Sequence, residues 1–400
     1  MERHNPIVTE QGGRLAYMPQ LDALRAFAIG LVFLSHWVDK TGVTGVLGVR
    51  LFFVLSGFLI TSILLRTRSQ IDDGQVRWTS ELRLFYTRRF LRLFPALFLL
   101  IAALWLIDFE SIRQTWPWHL TYLSNVRFAI QGRYESGVAV LWSLSVEEQF
   151  YIVWPLLILL APRRFHKPAA IALTAFAFAW HAATWWFSWY RLWQYVLPFK
   201  WLDGLGVGSL LALLIEAKPQ GLEHAGRFAA VAARVGIPIF IICIVAQITG
   251  QGHALRSLML ELSASLTFVW LVFRAAQGIN GTAGTALSWN PLLYIGRISY
   301  GLYLYHGLVV DLFKWVMQRM HVPLTSWDVP QLVFDIAGRV SGANATKVTG
   351  LIMVLIYFAC SILVASVSWF AWERPLTGFR RYFRYSRGLT IASATKGRAA

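Results

Sequence analysis

Residues 21–36 read L-D-A-L-R-A-F-A-I-G-L-V-F-L-S-H, an apolar run interrupted by a few ionisable side chains. A helix that spans a bilayer needs about 20 mostly apolar residues, and this run approaches that length. Arg25 and His36 are eleven residues apart, which is three helical turns plus about 20°, so they share one face about 16 Å apart along the axis. Ionisable groups inside a span are energetically unfavourable and mark functional sites. The run therefore predicts a membrane helix that carries part of a functional site.

The composition extends this interpretation to the whole chain. Of its 400 residues, 56% are apolar and 14% are charged, and the mean hydropathy is +0.52. Soluble domains contain about 25% charged residues, so a soluble globular chain is excluded. We predict an all-α, polytopic helical membrane protein with about ten transmembrane helices. The predicted spans are 21–38, 47–65, 84–107, 140–161, 169–187, 196–216, 232–249, 255–277, 291–317 and 348–372.

The formal net charge of +17 fits either nucleic-acid binding or a basic cytoplasmic surface. If the N-terminus is inside, the predicted cytoplasmic segments hold most of the Lys and Arg residues that lie outside the spans. The positive-inside rule then places both termini in the cytoplasm, and no nucleic-acid partner is needed. We expect a cytoplasmic segment at 1–20, a membrane-embedded domain at 21–376 and a basic cytoplasmic tail at 377–400, with no second folded domain.

The third predicted span opens with a cluster of arginines in F-Y-T-R-R-F-L-R-L-F-P, residues 85–95. Arg88, Arg89 and Arg92 fall within little more than one turn, and Arg89 and Arg92 share one side of the helix. Guanidinium groups bind phosphates well, so the cluster predicts a polyphosphate ligand. A positively charged anchor at an inner helix end is the alternative interpretation, and the sequence leaves both open.

The fourth predicted span begins L-W-S-L-S-V-E-E-Q-F-Y-I-V-W-P, residues 141–155, with adjacent carboxylates at its outer end. Ionisable side chains from five predicted helices share this depth, which favours a buried polar cavity. For Asp203 or Glu261 alone, a structural ion pair is the alternative. The group consists of His36, Glu147, Glu148, Asp203, Glu261 and His306.

Small residues in G-V-R-L-F-F-V-L-S-G-F-L-I, residues 48–60, allow close backbone approach. At Gly48, Ser56 and Gly57 we expect helix packing to be the main reason for it. The chain contains no Gly-rich phosphate loop, cysteine metal site or G-x-S-x-G motif. P-loop, zinc and serine-hydrolase chemistry are therefore not expected, and we predict no metal site.

Taken in order, these motifs resemble the acyltransferase-3 family of integral membrane acyltransferases over about residues 21–376. Two later elements also match, namely I-S-Y-G-L-Y-L-Y-H at 298–306 and E-R-P at 373–375. The resemblance implies that the Arg-x10-His pair is Arg25 and His36 and that the R-x-x-R donor motif is Arg89 and Arg92. It assigns a further element to Ser299, Tyr300, Tyr303 and His306.

The same resemblance implies a bacterial cytoplasmic (inner) membrane enzyme that uses acyl-CoA, such as acetyl-CoA, from the cytoplasm. Its acceptor would be a hydroxyl of a cell-surface or lipid-linked carbohydrate, or of a sugar-bearing metabolite. Some family members carry an additional SGNH hydrolase-like domain after the membrane domain. We expect this chain to lack it, so that its contribution is absent or comes from a partner.

Acyl transfer to an alcohol requires removal of the hydroxyl proton as the oxygen attacks. We expect His36 to be the general base, with Glu148 or Glu147 orienting its imidazole or binding the acceptor; a covalent acyl-histidine is a chemical variant. The expected donor-binding residues are Arg25, Arg88, Arg89 and Arg92. The expected acceptor or supporting residues are Ser145, Asp203, Ser299, Tyr303 and His306. No permanently bound cofactor is expected, and the acceptor and oligomeric state are not predicted.

A transporter or flippase of a lipid-linked sugar is the rival interpretation, because intramembrane His and Glu side chains also relay protons. The chain shows no internal repeat, and an arginine cluster aligned with a deep histidine suits a long anionic donor better than a small ion. A purely structural scaffold would not need so many charged groups in five spans.

Overall fold

The computed structural model describes residues 17–37, 42–109, 112–187, 189, 191–217, 220–250, 253–321 and 345–382. Regular structure in these ranges is helical, and no β-strand occurs among them. The helices are α1 Pro19–Trp37, α2 Val43–Asp72, α3 Trp78–Leu106, α4 Ile112–Leu120, α5 Ser124–Gln131, α6 Leu141–Leu160, α7 His166–Trp186, α8 Leu192–Val196, α9 Leu202–Ile215, α10 Gly221–Thr249, α11 His253–Gln277, α12 Gly281–Leu287, α13 Asn290–Arg297, α14 Ser299–Arg319, α15 Ala345–Ser368 and α16 Arg374–Gly378.

The all-α, polytopic membrane architecture predicted from composition is confirmed. Within the described ranges, seven segments are long and apolar enough to cross a bilayer. They are Val43–Asp72, Trp78–Leu106, Leu141–Leu160, Pro198–Ile215, Gly221–Thr249, Met259–Gln277 and Ile352–Gly378. Three further predicted spans coincide with α1, α7 and α14, which are 19, 21 and 21 residues long. The total of about ten spans therefore stays a prediction.

Several helices differ from the predicted spans at their ends. The predicted span 291–317 is divided into α13 and α14 at Ile298. A Cβ atom at Gly296, near the end of α13, would collide with the backbone of Asp22 in α1, so the two helices meet there at very close range. Helix α10 begins at Gly221, before the predicted span at 232, because its Ala-rich first turns favour helix although they are less apolar.

Helix α2 is central to the fold and packs against α1, α9, α11 and α6. A Cβ atom at Gly48 would lie 2.5 Å from the Ala28 carbonyl oxygen of α1, and one at Gly57 would collide with the Leu205 carbonyl of α9. The prediction that these glycines serve helix packing is therefore confirmed. Both contacts bring helix backbones together and hold the site-bearing face of α2 in place.

Helix α3 is bound to the C-terminal helices at its internal proline. Pro95 has no amide hydrogen, so one intrahelical hydrogen bond is missing there. Carbonyl oxygens beside this break accept hydrogen bonds from side chains of other elements: Leu93 from Tyr300 at 2.9 Å and Pro95 from Trp372 at 2.9 Å. Trp372 belongs to a π-helical turn, Trp369–Glu373, that precedes α16. These bonds fix α3, and the arginines on it, relative to α14.

Candidate active site

A cavity of about 230 Å³ lies between α1, α2, α3, α6 and α14. Its wall combines three guanidinium groups, one carboxylate, several hydroxyls and an apolar surface. The lining residues are Arg25, Val49, Phe52, Phe53, Ser56, Leu59, Ile60, Ile63, Arg89, Arg92, Leu93, Ser143, Leu144, Glu147, Tyr151, Ser299, Tyr300 and Tyr303. Motifs far apart in the sequence thus converge on one site, but of the six residues predicted to share a polar cavity only Glu147 is among the described lining residues.

The cationic part of the cavity combines Arg25 of α1 with Arg89 and Arg92 of α3. Arg25 donates to Asp22 at 2.7 Å. Arg92 is exposed within the cavity wall, and no acidic side chain of the described residues lies within ion-pair distance of it. Arg88, one position before Arg89, is not among the lining residues. The structure therefore brings together three of the four arginines predicted to bind the donor.

Arg89 is held by two groups on α6. Its Nη2 lies 2.7 Å from Glu148 Oε1, and its Nε donates to the same oxygen at 2.8 Å. The guanidinium carbon also lies 3.2 Å from the ring centre of Tyr151, a cation–π contact. An arginine with these partners is more than a charged anchor at a helix end, which would extend into the interface.

Glu147 is the carboxylate inside the cavity. It accepts hydrogen bonds from the hydroxyls of Ser56 on α2 and of Tyr151 on its own helix. Ser143, Glu147 and Tyr151 follow one another at four-residue intervals, so they form a stripe along one face of α6. That spacing could have identified Ser143 and Tyr151 from the sequence, whereas the role of Ser56 depends on how α2 meets α6.

The arginines and Glu147 lie at a similar height along their helices. Ser56 contacts Glu147, and Glu148, the next residue, contacts Arg89. Helices α1 and α2 run antiparallel, because Gly48 meets Ala28 and Val32 while Gly45 meets Ser35. Continuing this register places Arg25 opposite about residue 53 of α2. The cations and Glu147 therefore surround one stretch of the cavity.

His36 lies in the last turn of α1, eleven residues after Arg25. Its side chain is outside the described part of the structure, so its predicted role as general base stays a prediction. Ser35, its neighbour, faces Gly45 of α2. The helix thus continues unbroken from the cationic level to His36, over the predicted distance of about 16 Å.

Other predicted site residues occupy different positions. Ser299 and Tyr303 line the cavity. Ser145 does not; its hydroxyl donates to the Leu141 carbonyl at 2.8 Å, and Ser143 lines the cavity instead. His306 is buried beside the Phe33 ring at a centroid distance of 5.3 Å, and its Nδ1 lies 2.8 Å from the Tyr303 carbonyl oxygen. That nitrogen is therefore the donor, because a carbonyl only accepts.

Asp203 and Glu261 form a separate cluster around Arg50 of α2, which is fully buried and forms ion pairs with both. Glu261 also pairs with Lys200 at 2.7 Å. Ser265 donates to Asp203 at 2.8 Å. None of these residues lines the cavity. The arrangement corresponds to the structural ion-pair alternative for the two acids, and Arg50 is the partner that sequence analysis did not identify.

Comparison with known proteins gives a consistent result. A family profile described as "Acyltransferase domain" matches residues 18–373. YrhL of Bacillus subtilis, a candidate peptidoglycan O-acetyltransferase, is 30% identical over 327 residues, which cover 74% of this chain and 49% of YrhL. The peptidoglycan O-acetyltransferase OatA of Listeria monocytogenes is 27% identical over 339 residues, covering 76% and 51%. The chain thus spans about half the length of these relatives. No solved structure matches it.

Proposed function

Because the chain belongs to the acyltransferase family whose domain covers residues 18–373, we propose that it is a membrane O-acetyltransferase acting on a carbohydrate. The names of its relatives favour peptidoglycan, or a lipid-linked precursor of similar chemistry, as the acceptor. We further propose that the protein resides in the bacterial cytoplasmic membrane with both termini inside. A reporter fused after Ala400 tests this orientation, and an outside signal would contradict it.

The observation that carries the proposal is the union of Arg25, Arg89 and Arg92 with Glu147 in one cavity. Three guanidinium groups suit the phosphates of an acyl-CoA donor, because charge-assisted hydrogen bonds to phosphate are strong and directional. The apolar wall beside them suits the uncharged pantetheine arm. In this proposal acyl-CoA is a substrate and the domain holds no permanent cofactor.

The chemistry proposed for this site is direct acyl transfer. His36 takes the proton of the acceptor hydroxyl as its oxygen attacks the thioester carbonyl carbon. The carbon–sulfur bond then breaks, and the proton passes to the departing thiolate, so the products are the ester and the free CoA thiol. The distance along α1 from Arg25 to His36 is about 16 Å. It suits a pantetheine arm that extends towards His36 while the CoA phosphates stay bound to the arginines. Glu147 and Glu148 lie at the cationic level, about 16 Å along α1 from His36, where they hold Tyr151 and Arg89 in place; the expectation that they orient the imidazole does not fit this geometry.

The test is a two-substrate assay on the purified protein in lipid nanodiscs. Acetyl-CoA is supplied on its own, then with soluble muropeptides, and both free thiol and acetylated product are measured. We expect thiol release that depends on the acceptor and matches the acetylated product in amount. A transporter of lipid-linked sugars would release no thiol. Release without any acetylated carbohydrate would be hydrolysis of the thioester and would contradict transfer to a carbohydrate.

A further inference from the structure

We propose that Phe52, Ser143 and Tyr303 form a constriction that selects the size of the acyl group. This inference rests on the proposed function and adds a substrate class to it, namely short acyl groups such as acetyl. The three residues come from α2, α6 and α14, and all of them line the cavity. Of the three, only Tyr303 is predicted from the sequence to belong to the site, as an acceptor or supporting residue.

Direct contacts define the constriction. The hydroxyls of Ser143 and Tyr303 are 2.5 Å apart. Ser143 donates its own proton to the Val140 carbonyl at 3.1 Å, so Tyr303 is the donor of the pair. The Phe52 ring meets the Tyr303 ring at a centroid distance of 6.1 Å and an angle of 70°, an edge-on contact. Two aromatic rings and a hydrogen bond thus join three helices at one point.

The register of the helices places this point on the path towards His36. Ser56 contacts Glu147 at the cationic level. Phe52 lies one turn of α2 away from Ser56, in the direction of Gly45, which packs against Ser35. Arg25 is the only α1 residue among those lining the cavity in the described structure. The constriction therefore lies between the level of Arg89 and Glu147 and the end of α1 that carries His36, with Arg25 at about its own level.

An acyl group delivered from the cationic level must fit at this constriction to meet His36. Aromatic rings change shape little, so each added methylene is accommodated only by displacing Phe52 or breaking the Ser143–Tyr303 hydrogen bond. Apolar pockets of enzymes typically distinguish substrates that differ by one methylene by about 10- to 200-fold. We therefore expect kcat/KM to fall at least ~10-fold from acetyl-CoA to butyryl-CoA.

The experiment measures thiol release with acetyl-, butyryl- and hexanoyl-CoA and one acceptor. The variants are Phe52→Ala and, as a matched control, Leu59→Ala, which lies seven residues further along α2 and lines the other part of the same cavity. We expect Phe52→Ala to reduce the acetyl-to-butyryl ratio at least ~10-fold, the effect of about one methylene, whereas Leu59→Ala retains the wild-type ratio. Binding of unacylated CoA to each variant verifies that its cavity is intact.

Two gentler variants test the hydrogen bond and keep the proposal testable if Phe52→Ala does not fold. Tyr303→Phe and Ser143→Ala each remove one hydroxyl and retain the rings. Both are expected to lower the acetyl-to-butyryl ratio in the same direction as Phe52→Ala. An unchanged ratio in all variants that bind CoA would overturn the proposal, as would an equal change in Leu59→Ala.

The wild-type result separates this inference from the proposed function. If the wild-type protein releases no thiol from any donor, the proposed acyltransferase activity fails. If it uses acetyl-CoA and hexanoyl-CoA equally well, the activity stands and the constriction does not select acyl size.

Discussion

Arg89 and Glu148 form an ion pair of 2.7 Å at the wall of the cavity, whereas Arg92, one turn further along the same helix, has no acidic partner among the described residues. The two arginines of the R-x-x-R motif therefore have different surroundings. Arg92 is available for an anionic ligand as it stands, and Arg89 already interacts with a carboxylate. Substitutions at the two positions should consequently have different effects.

Arg92→Ala should weaken donor binding with little effect on folding. Loss of charge-assisted hydrogen bonds to phosphate removes roughly 1.5–3 kcal/mol, about 10- to 150-fold in the KM for acetyl-CoA. Arg92→Lys should recover only part of this, because lysine retains the charge but not the planar fork. The apparent donor KM of the purified variants measures the effect. If the donor KM of Arg92→Lys equals that of the wild type, Arg92 is a charged anchor at the helix end.

Arg89→Ala should instead lower stability. It leaves the Glu148 carboxylate, which is 13% exposed, without its partner, and breaking a buried ion pair costs about 3–5 kcal/mol. We expect a clear drop in the apparent Tm of Arg89→Ala and none in Arg92→Ala, measured in the same detergent. Partial recovery in an Arg89→Ala, Glu148→Gln double variant would confirm the unpaired charge as the cause. Equal Tm values for the two single variants would contradict this assignment.

His36→Ala should abolish acetyl transfer while donor affinity stays close to that of the wild type. A general base acts in the transition state, so its loss lowers kcat and leaves ground-state binding intact. Thiol release and acetyl-CoA binding are measured on the same preparation. Retention of more than about a tenth of the activity would be inconsistent with general-base catalysis, which typically contributes at least about 100-fold.

Arg50→Leu should strongly destabilise the protein. It removes a fully buried cation and leaves Asp203 without its ion-pair partner, while Glu261 keeps Lys200, with an expected loss of about 3–5 kcal/mol. Arg113→Ala is the matched control, because Arg113 pairs with Asp108 at 3.7 Å with both side chains about half exposed. Exposed pairs contribute about 0–1 kcal/mol. Thermal unfolding in detergent distinguishes the two, and similar Tm shifts would contradict a structural role for Arg50.

The segment between α5 and α6 should unfold more easily in acid because of Glu135. Burial alone would raise the pKa of this carboxyl, but the hydrogen bond from Arg127 and the nearby His119, whose Nε2 lies 3.3 Å from Oε2, outweigh it, and the net pKa lies below the usual value of 4.5. A lowered pKa in the folded state stabilises the fold above about pH 4.5, and this stabilisation is lost as the pH falls through the folded-state pKa.

The measurement for Glu135 is the Tm of wild type and Glu135→Gln from pH 7 down to pH 3. The wild-type Tm should decline more steeply below about pH 4.5, since the Gln variant cannot titrate at this position. Parallel curves would show that the Glu135 carboxylate does not contribute.

Local sequence determined the fold class and part of the site. The long apolar runs require membrane helices because hydrocarbon leaves backbone polar groups no partner outside a helix. Regular helix geometry also places Arg25 in line with His36, and Arg89 with Arg92, whatever the rest of the chain does. The family resemblance followed from the same short motifs.

Tertiary structure decided which of the charged residues meet. Glu148 pairs with Arg89, and Asp203 pairs with Arg50, 153 positions away in the chain. Side chains two positions apart on a helix point about 200° away from each other. Ser143 therefore lines the cavity, whereas the Ser145 hydroxyl donates to the Leu141 carbonyl of the same helix. These outcomes depend on how each helix is rotated against its neighbours. That rotation follows from close contacts such as Gly57 with Leu205, which join residues far apart in the sequence and leave no mark on local periodicity.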